Sequence, residues 1–314
     1  MKNEFTIIKN ILNISKENIN SHPSIVIPPG DDAALLQQIT KPVISTDTHR
    51  ENIHFKLGWA SPEEIGFKAI TVTLSDLAAS YAEPIAVFIN IGVPDYISDL
   101  FIDKLYTGIN QALNKYNCAL GGGNISSSQD LSLDLFAIGN GDDEIFPLRS
   151  KAEKGYGLYV TGPIGLAKAG LDALLKNNNG FTSVINNFKN PKARFDASKV
   201  LKSHKVSCVM DISDGLLGDA EHIAVASDIS IELSVDTNSL SDNLTQYCNT
   251  FKLSPVEFAI SGGEDYELLF ACSDEIFTGI KKDLPESFKV GNCLKFNGSR
   301  IIDPPENIES YRHR

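Results

Sequence analysis

Five places in this sequence put carboxylates at predicted element ends or on a predicted buried face, instead of scattering them as solvated charge. Asp31-Asp32 follows Pro28-Pro29-Gly30 and precedes the apolar run AALL. Adjacent carboxylates repel, and a nearby cation relieves both, although a turn or a helix cap accounts for the pair equally well. Ser45-Thr46-Asp47 ends the strand-like VIST segment, and the period of two sets Ser45 and Asp47 on one face, suited to holding a hard cation through oxygen. Turn chemistry explains that triplet as well. Ile65, Ala69, Val72, Asp76 and Ala79 follow one another at steps of four, three, four and three, so Asp76 continues an apolar helical stripe toward the helix C-terminus. An unpaired carboxylate there is costly, and a metal ion or a buried Lys or Arg would resolve it. In DISDGLLGD, Asp211 and Ser213 share a strand face at the C-terminal end of an apolar strand, and Asp214 stands at the expected N-cap of the next helix. In SGGEDYELLF, two glycines permit close backbone approach before Glu264 and Asp265; a glycine-rich turn with solvated acids is the plain alternative.

What is missing narrows the chemistry. There is no Gly-Lys dipeptide and hence no P-loop, and no G-x-G-x-x-G, H-R-D or D-F-G segment. The histidines lack metal-ligand spacing. Convergent oxygen donors without a phosphate-binding lysine suggest several hard cations, magnesium above all, as the means of admitting a phosphate-rich ligand.

The elements that must position these groups alternate between strand and helix, which predicts α/β or α+β architecture. Residues 4–14 suggest a short amphipathic helix with Ile7, Ile8, Ile11 and Leu12 inward. Strands are expected at 24–27, 42–46, 85–93, 118–120 and 131–139, with the run Gly121-Gly122-Gly123 as a loop after the fourth. A helix from Ser61 to about Tyr81 opens on a capping box, Ser61 with Glu64, with Pro62 at its first position; Ser98 caps another that runs to about Tyr116. The polar stretch 141–155 marks a domain boundary, giving domains 1–148 and 149–314. The second half is expected to hold helices at 166–176, 195–203, 214–226 and 274–282 and strands at 206–212, 230–233 and 266–272, with 177–190 as a surface connection.

Composition bounds the partners. Forty acids against 28 bases give a net charge of −12, which disfavours nucleic acid. Five widely spaced cysteines argue for a reducing, cytoplasmic setting. No apolar run reaches membrane-spanning length, and the opening MKNEFTIIKNILN has no uninterrupted signal-peptide core.

Taken together, GDDAALL (30–36), STDTHRENIHF (45–55), TLSDLAASYAEP (73–84), YVTGPIG (159–165), DISDGLLGDAEHI (211–223) and SGGEDYELLF (261–270) resemble the thiamine-monophosphate kinases, within the aminoimidazole ribonucleotide synthetase superfamily. The resemblance implies an α/β N-terminal domain that dimerises through its sheet, an α+β C-terminal domain, and an active site in a cleft between them. It implies phosphoryl transfer from ATP to thiamine monophosphate, giving thiamine diphosphate and ADP. Carried over position by position, it implies magnesium ligation by Asp32, Ser45, Thr46, Asp47, Asp76, Asp211 and Asp214. ATP contacts are implied at Tyr106, Gly122, Gly123, Arg149 and Ser213, and thiamine monophosphate contacts at His54, Glu264 and Tyr311. The chain departs from the family pattern twice. Its glycine run stands where Gly-Gly-Asp-Thr is usual, which sets Gly123 in place of a magnesium-binding aspartate, and Tyr81 replaces a glycine. The first departure leaves open a binding protein with weak or no turnover, and the superfamily leaves open a different ATP-dependent enzyme.

Overall fold

The computed structural model describes residues 4–142 and 144–302. The chain divides into two units, Met1–Leu77 with Ala82–Asp142, and Ala78–Tyr81 with Asp143–Arg314. The main division falls at Asp142–Asp143, while the last two residues of a first-unit helix and the turn after it, Ala78–Tyr81, are counted with the second.

The first unit contains α1 (Glu4–Ile14), α2 (Lys16–Ser21), β1 (Ile25–Ile27), β2 (Leu35–Leu36), β3 (Pro42–Arg50), α3 (Pro62–Ala79), β4 (Glu83–Val93), α4 (Asp99–Lys115), β5 (Ala119–Ser127) and β6 (Ser132–Asn140). The predicted caps form. Ser61 N–H donates to Glu64 Oε2 at 2.7 Å and Glu64 N–H donates back to Ser61 Oγ at 3.2 Å, while Ser98 Oγ accepts from Phe101 N–H. Each such cap contributes about 1 kcal/mol to its helix. Ile65, Ile70, Leu74 and Leu77 of α3, Ile102, Leu105 and Ile109 of α4, and Ile89 and Ile91 of β4 are fully buried and form the core. The sheet runs β3-β6-β4-β5, antiparallel except for the β4–β5 pair.

Two strand expectations are corrected. β3 does not stop at Thr46; each of its residues through Arg50 finds a partner on β6, so the STDTHR segment is ladder and not exit turn. The glycine run is not a loop either. β5 continues through it to Ser127, and the register slips between Val87–Leu120 and Phe88–Gly122, which makes Gly121 the extra residue of a bulge.

The second unit holds β7 (Gly157–Val160), α5 (Leu166–Leu175), α6 (Thr182–Lys189), α7 (Phe195–Ser203), β8 (Cys208–Asp211), α8 (Leu216–Ala226), β9 (Ile229–Leu233), α9 (Asp242–Phe251), α10 (Pro255–Ser261), β10 (Leu268–Cys272), α11 (Asp274–Asp283), β11 (Phe288–Lys295) and β12 (Ile301–Ile302). Its sheet runs β12-β9-β11-β7-β10-β8, with only β12–β9 parallel. Tyr159 and Phe270 stack at 5.5 Å in a core with Leu201 of α7 and Ile280 of α11. Tyr81 joins that core at φ 56, the left-handed region that a glycine adopts freely, and its hydroxyl donates to the Val206 carbonyl at 2.9 Å. Tyr81 thus takes a glycine-like backbone conformation and adds a buried aromatic anchor.

The asparagine-rich stretch is not merely a surface connection, because α6 buries Val184, Ile185 and Phe188. All five cysteines are free and buried. Among the described residues, no helix is long and apolar enough to cross a membrane.

Candidate active site

In the first unit, strand alternation sets the donors. Ser45, Asp47 and His49 lie on the helix-covered side of β3, while Ile44 and Thr46 lie on the other. The covered side faces α3, and Ser45 Oγ donates a short hydrogen bond to Asp76 Oδ2. The strand residue and the carboxylate on the apolar stripe are thus brought together, a pairing that neither spacing gave by itself. Asp47 Oδ1 accepts from the Thr48 amide at 2.7 Å. Thr46 does not join this group through its side chain. It pairs with Phe136 on the open face, in a hollow of about 380 Å³ shared with Thr48, Phe88, Asn90 and Asp134. Asp32 lies on the exposed segment linking β1 to β2, where its amide donates to Asp31 Oδ1 at 3.0 Å. Tyr106 is only 4% exposed and belongs to the core.

His54 sits in the turn after β3 and accepts the Arg50 amide on Nδ1 at 3.0 Å, so its neutral ring carries the proton on Nε2. It stacks at 5.4 Å on buried His49, whose proton affinity falls well below the ordinary range through burial, then Lys68 and His54. His49 is therefore a neutral platform under an imidazole that offers a donor.

The glycine run decides the first departure from the family pattern. Gly123 has φ 157, and a Cβ there would stand 1.9 Å from the Ile89 carbonyl oxygen. No aspartate fits at position 123 on this backbone. Asn124, exposed on β5, is the next residue along the strand with a polar side chain.

In the second unit, Asp211 ends β8 and is 6% exposed. Asp214 does not cap the following helix by its side chain; the N-cap of α8 is Gly215, and the Asp214 amide donates instead to Asp219. Asp219, which sequence reasoning did not single out, is 1% exposed, and its Oδ2 has no hydrogen-bond partner. Burial, followed by the charges of Asp211 and Asp214, pushes its carboxyl up to about 8, with Arg149 opposing. Arg149 lies exposed in a short 3-10 turn, where its carbonyl accepts Ser227 Oγ at 2.7 Å. Three carboxylates and a guanidinium thus share one electrostatic neighbourhood. The stripe argument that marks Asp76 would have found Asp219, since Leu216, Asp219, Ala220 and Ile223 share the buried face of α8.

The SGGED segment is drawn against Ser213. Glu264 N–H donates to the Ser213 carbonyl at 2.8 Å and Tyr266 N–H to the Ile212 carbonyl at 2.9 Å. This juxtaposes two predicted site residues, and Gly263 is required because a Cβ there would lie 2.6 Å from the Ser213 oxygen. The acids are not the solvated tip of a hairpin: Asp265 is tied into α5, and Glu267 is buried against Arg194. Tyr311 lies outside the described residues.

A family model described as AIR synthase related protein, N-terminal domain, matches residues 30–140. The thiamine-monophosphate kinase of Aquifex aeolicus is 35% identical over 246 residues, covering 77% of this chain and 79% of that protein. That of Bacillus subtilis is 32% identical over 295 residues, covering 90% and 89%. The chain belongs to the thiamine-monophosphate kinase family. A solved structure of this family, AaThiL complexed with AMPPCP and TMP, aligns at a TM-score of 0.79 and 28% identity over 99% of this chain and 97% of that one. Thiamine-monophosphate kinase from Stenotrophomonas maltophilia aligns at 0.81 and 25% identity, over 93% and 95%. The hydrogenase maturation protein HypE of E. coli, at 16% identity and a TM-score of 0.76, shares the fold alone. As a member of the thiamine-monophosphate kinases the chain is a kinase, with the α/β plus α+β architecture expected of it.

Among the described residues, no three His, Cys, Asp or Glu side chains stand as a ready metal cage. The residues nevertheless fit a cation. Asp219 leaves a buried oxygen without a donor beside Asp211 and Asp214, and every candidate donor is oxygen, as magnesium prefers.

Proposed function

We propose that this chain transfers the γ-phosphoryl group of ATP to the phosphate of thiamine monophosphate by direct in-line displacement. The bond from the γ-phosphorus to the β,γ-bridging oxygen breaks, a thiamine monophosphate oxygen bonds to that phosphorus, and thiamine diphosphate and ADP result. What supports the reading most is the Asp211, Asp214 and Asp219 group beside Arg149, in a chain whose relatives are thiamine-monophosphate kinases. Magnesium, when bound, neutralises triphosphate charge that an acidic protein would otherwise repel. Several ions are proposed: Asp32, Ser45, Asp47 and Asp76 would be ligands in the first unit, with Thr46 able to contribute only through its backbone, and Asp211 and Asp214 would be ligands in the second.

The chain's own residues bind and orient. Arg149 offers a bidentate fork to the triphosphate, and Tyr106, Gly122, Gly123 and Ser213 are the remaining ATP positions, the glycines through backbone alone. His54 presents its Nε2 proton to thiamine monophosphate, with Glu264 and Tyr311 completing that set. No general base is assigned, because the acceptor oxygen is largely deprotonated at neutral pH, with a second pKa of about 6.

We also infer a homodimer in which a second copy covers the open face of the first unit's sheet. Ile44 is 55% exposed there, and Phe88 and Phe136 meet edge-on at 6.2 Å, apolar groups set among Thr46, Thr48, Asn90 and Asp134. Five buried cysteines fit a reducing, cytoplasmic setting.

The test is ATP-dependent formation of thiamine diphosphate by the purified chain across a magnesium titration. Product from thiamine monophosphate, with free thiamine rejected, is expected. Nucleotide binding without product at any magnesium concentration would return the protein to the class of non-catalytic binders.

A further inference from the structure

The SGGED segment carries one acid that the proposed chemistry does not use. Asp265 Oδ2 accepts the Gly165 amide at 2.5 Å, and its Oδ1 accepts the Ala167 amide at 3.1 Å. These are donors at the N-terminal end of α5, where a helix leaves amides without internal partners. Gly165, the N-cap of α5, has no oxygen-bearing side chain and makes no side-chain cap of its own. The capping carboxylate comes instead from a residue a hundred positions away in sequence.

The residues on either side of Asp265 are in unfavourable conformations. Glu264 has φ 63 and Tyr266 has φ 53, both in the left-handed region that non-glycine residues enter only when their surroundings over-determine it. The surroundings here include three restraints. The Glu264 and Tyr266 amides bond to the Ser213 and Ile212 carbonyls, Tyr266 is buried, and the Asp265 side chain is anchored on α5 between them. Release of that anchor leaves two left-handed residues free to relax toward ordinary backbone, and Glu264 would move with them.

We propose that Asp265 is the positioning residue for Glu264: by clasping the start of α5 it holds the SGGED loop in the left-handed form that sets Glu264 beside Ser213 for thiamine monophosphate. This rests on the reading that Glu264 contacts that substrate. Asp265 itself touches no reacting group; it acts through its neighbour. Burial pushes its carboxyl up to about 7, and the Gly165 and Ala167 amides oppose that rise by bonding the charged form.

The experiment uses the full chain with saturating magnesium and compares Asp265→Ala, Asp265→Asn, Glu264→Ala and the double variant Asp265→Ala/Glu264→Ala. The expected result is a rise of about tenfold or more in KM for thiamine monophosphate in Asp265→Ala and in Glu264→Ala, with KM for ATP changed by less than about threefold. The double variant should be no worse than Glu264→Ala, because both changes remove the same contact. Asp265→Asn keeps one acceptor oxygen and should fall between, and it carries the comparison if the alanine variant fails to fold. Hydrogen exchange supplies the readout a merely structural cap would not give. The Glu264 and Tyr266 amides should exchange at least about tenfold faster in the Asp265 variants, while the β10 amides keep their protection. Effects that multiply in the double variant, or loop amides that remain protected, would overturn the proposal. If Glu264→Ala leaves KM unchanged while the loop amides loosen, the substrate role of Glu264 fails and the hold of Asp265 on the loop stands.

Discussion

The carboxylates of the two units are held in opposite ways. In the first unit two candidate carboxylates find donors from the chain itself: Asp76 takes the Ser45 hydroxyl and Asp47 the Thr48 amide, while Asp32 stands on an exposed segment. In the second unit Asp219 is sealed away with one oxygen unpaired, and Asp211 and Asp214 add to its burden. Asp76 and Asp47 are stabilised before any cation arrives. The second unit answers its repulsion with a raised proton affinity at Asp219, and a cation would displace that proton. Affinity for magnesium should therefore be carried more by the second unit, and geometry by the first.

The largest effect that would sharpen this contrast is on turnover. Asp211→Asn should lower kcat/KM by about two to three orders of magnitude, the scale seen when a charge-stabilising group is lost from an active site, whereas Ser45→Ala should cost only about threefold to tenfold, the worth of one hydrogen bond. Steady-state kinetics at fixed magnesium checks both, and equal losses would break the comparison. Next in size is Gly123→Ala, which should destabilise the first unit by about 2–4 kcal/mol, since a side chain there meets backbone; urea unfolding reads it, and a neutral result would show that the β4–β5 backbone yields at that point.

A smaller effect is on the pH dependence of stability. Asp219 sits near the ordinary carboxylate value when unfolded and at about 8 when folded, so between those values the folded state holds the extra proton. Stability of chelator-treated protein should then fall as pH rises from about 4 toward 8, and Asp219→Asn should flatten that fall. Thermal midpoints at several pH values check it, and parallel curves for the two proteins would count against a sealed carboxylate. Smallest is Asn124→Asp, which should lower the magnesium concentration for half-maximal rate by about threefold, if Asn124 and not Gly123 occupies the aspartate position of the family.

The parts of this molecule legible in its sequence are those where local physics and tertiary context agree. The capping box at Ser61, the cap at Ser98 and the stripe that carries Asp76 needed only spacing. The misses have a common physical cause. The glycine run suggests a loop by propensity, but pairing with β4 holds it as strand. The asparagines around α6 obscured Val184, Ile185 and Phe188, whose burial decides the helix. Asp219 differs from Asp214 by burial, and Asp265 from Glu264 by its bonds to amides about a hundred residues off. The functional motifs were visible as motifs; which carboxylate bears charge and which bears load was not.

The buried thiols have a practical consequence. Burial pushes Cys208, Cys272 and Cys293 up to about 12 and Cys248 to about 11, and it raises Cys118 further, so none is a reactive thiolate at neutral pH while the fold is closed. Cys118 immediately precedes β5 in the first unit, and the other four belong to the second. A thiol-reactive dye added to native protein would therefore act as a clock for opening, and the order in which peptides acquire label would time the two units separately, with no engineered probe.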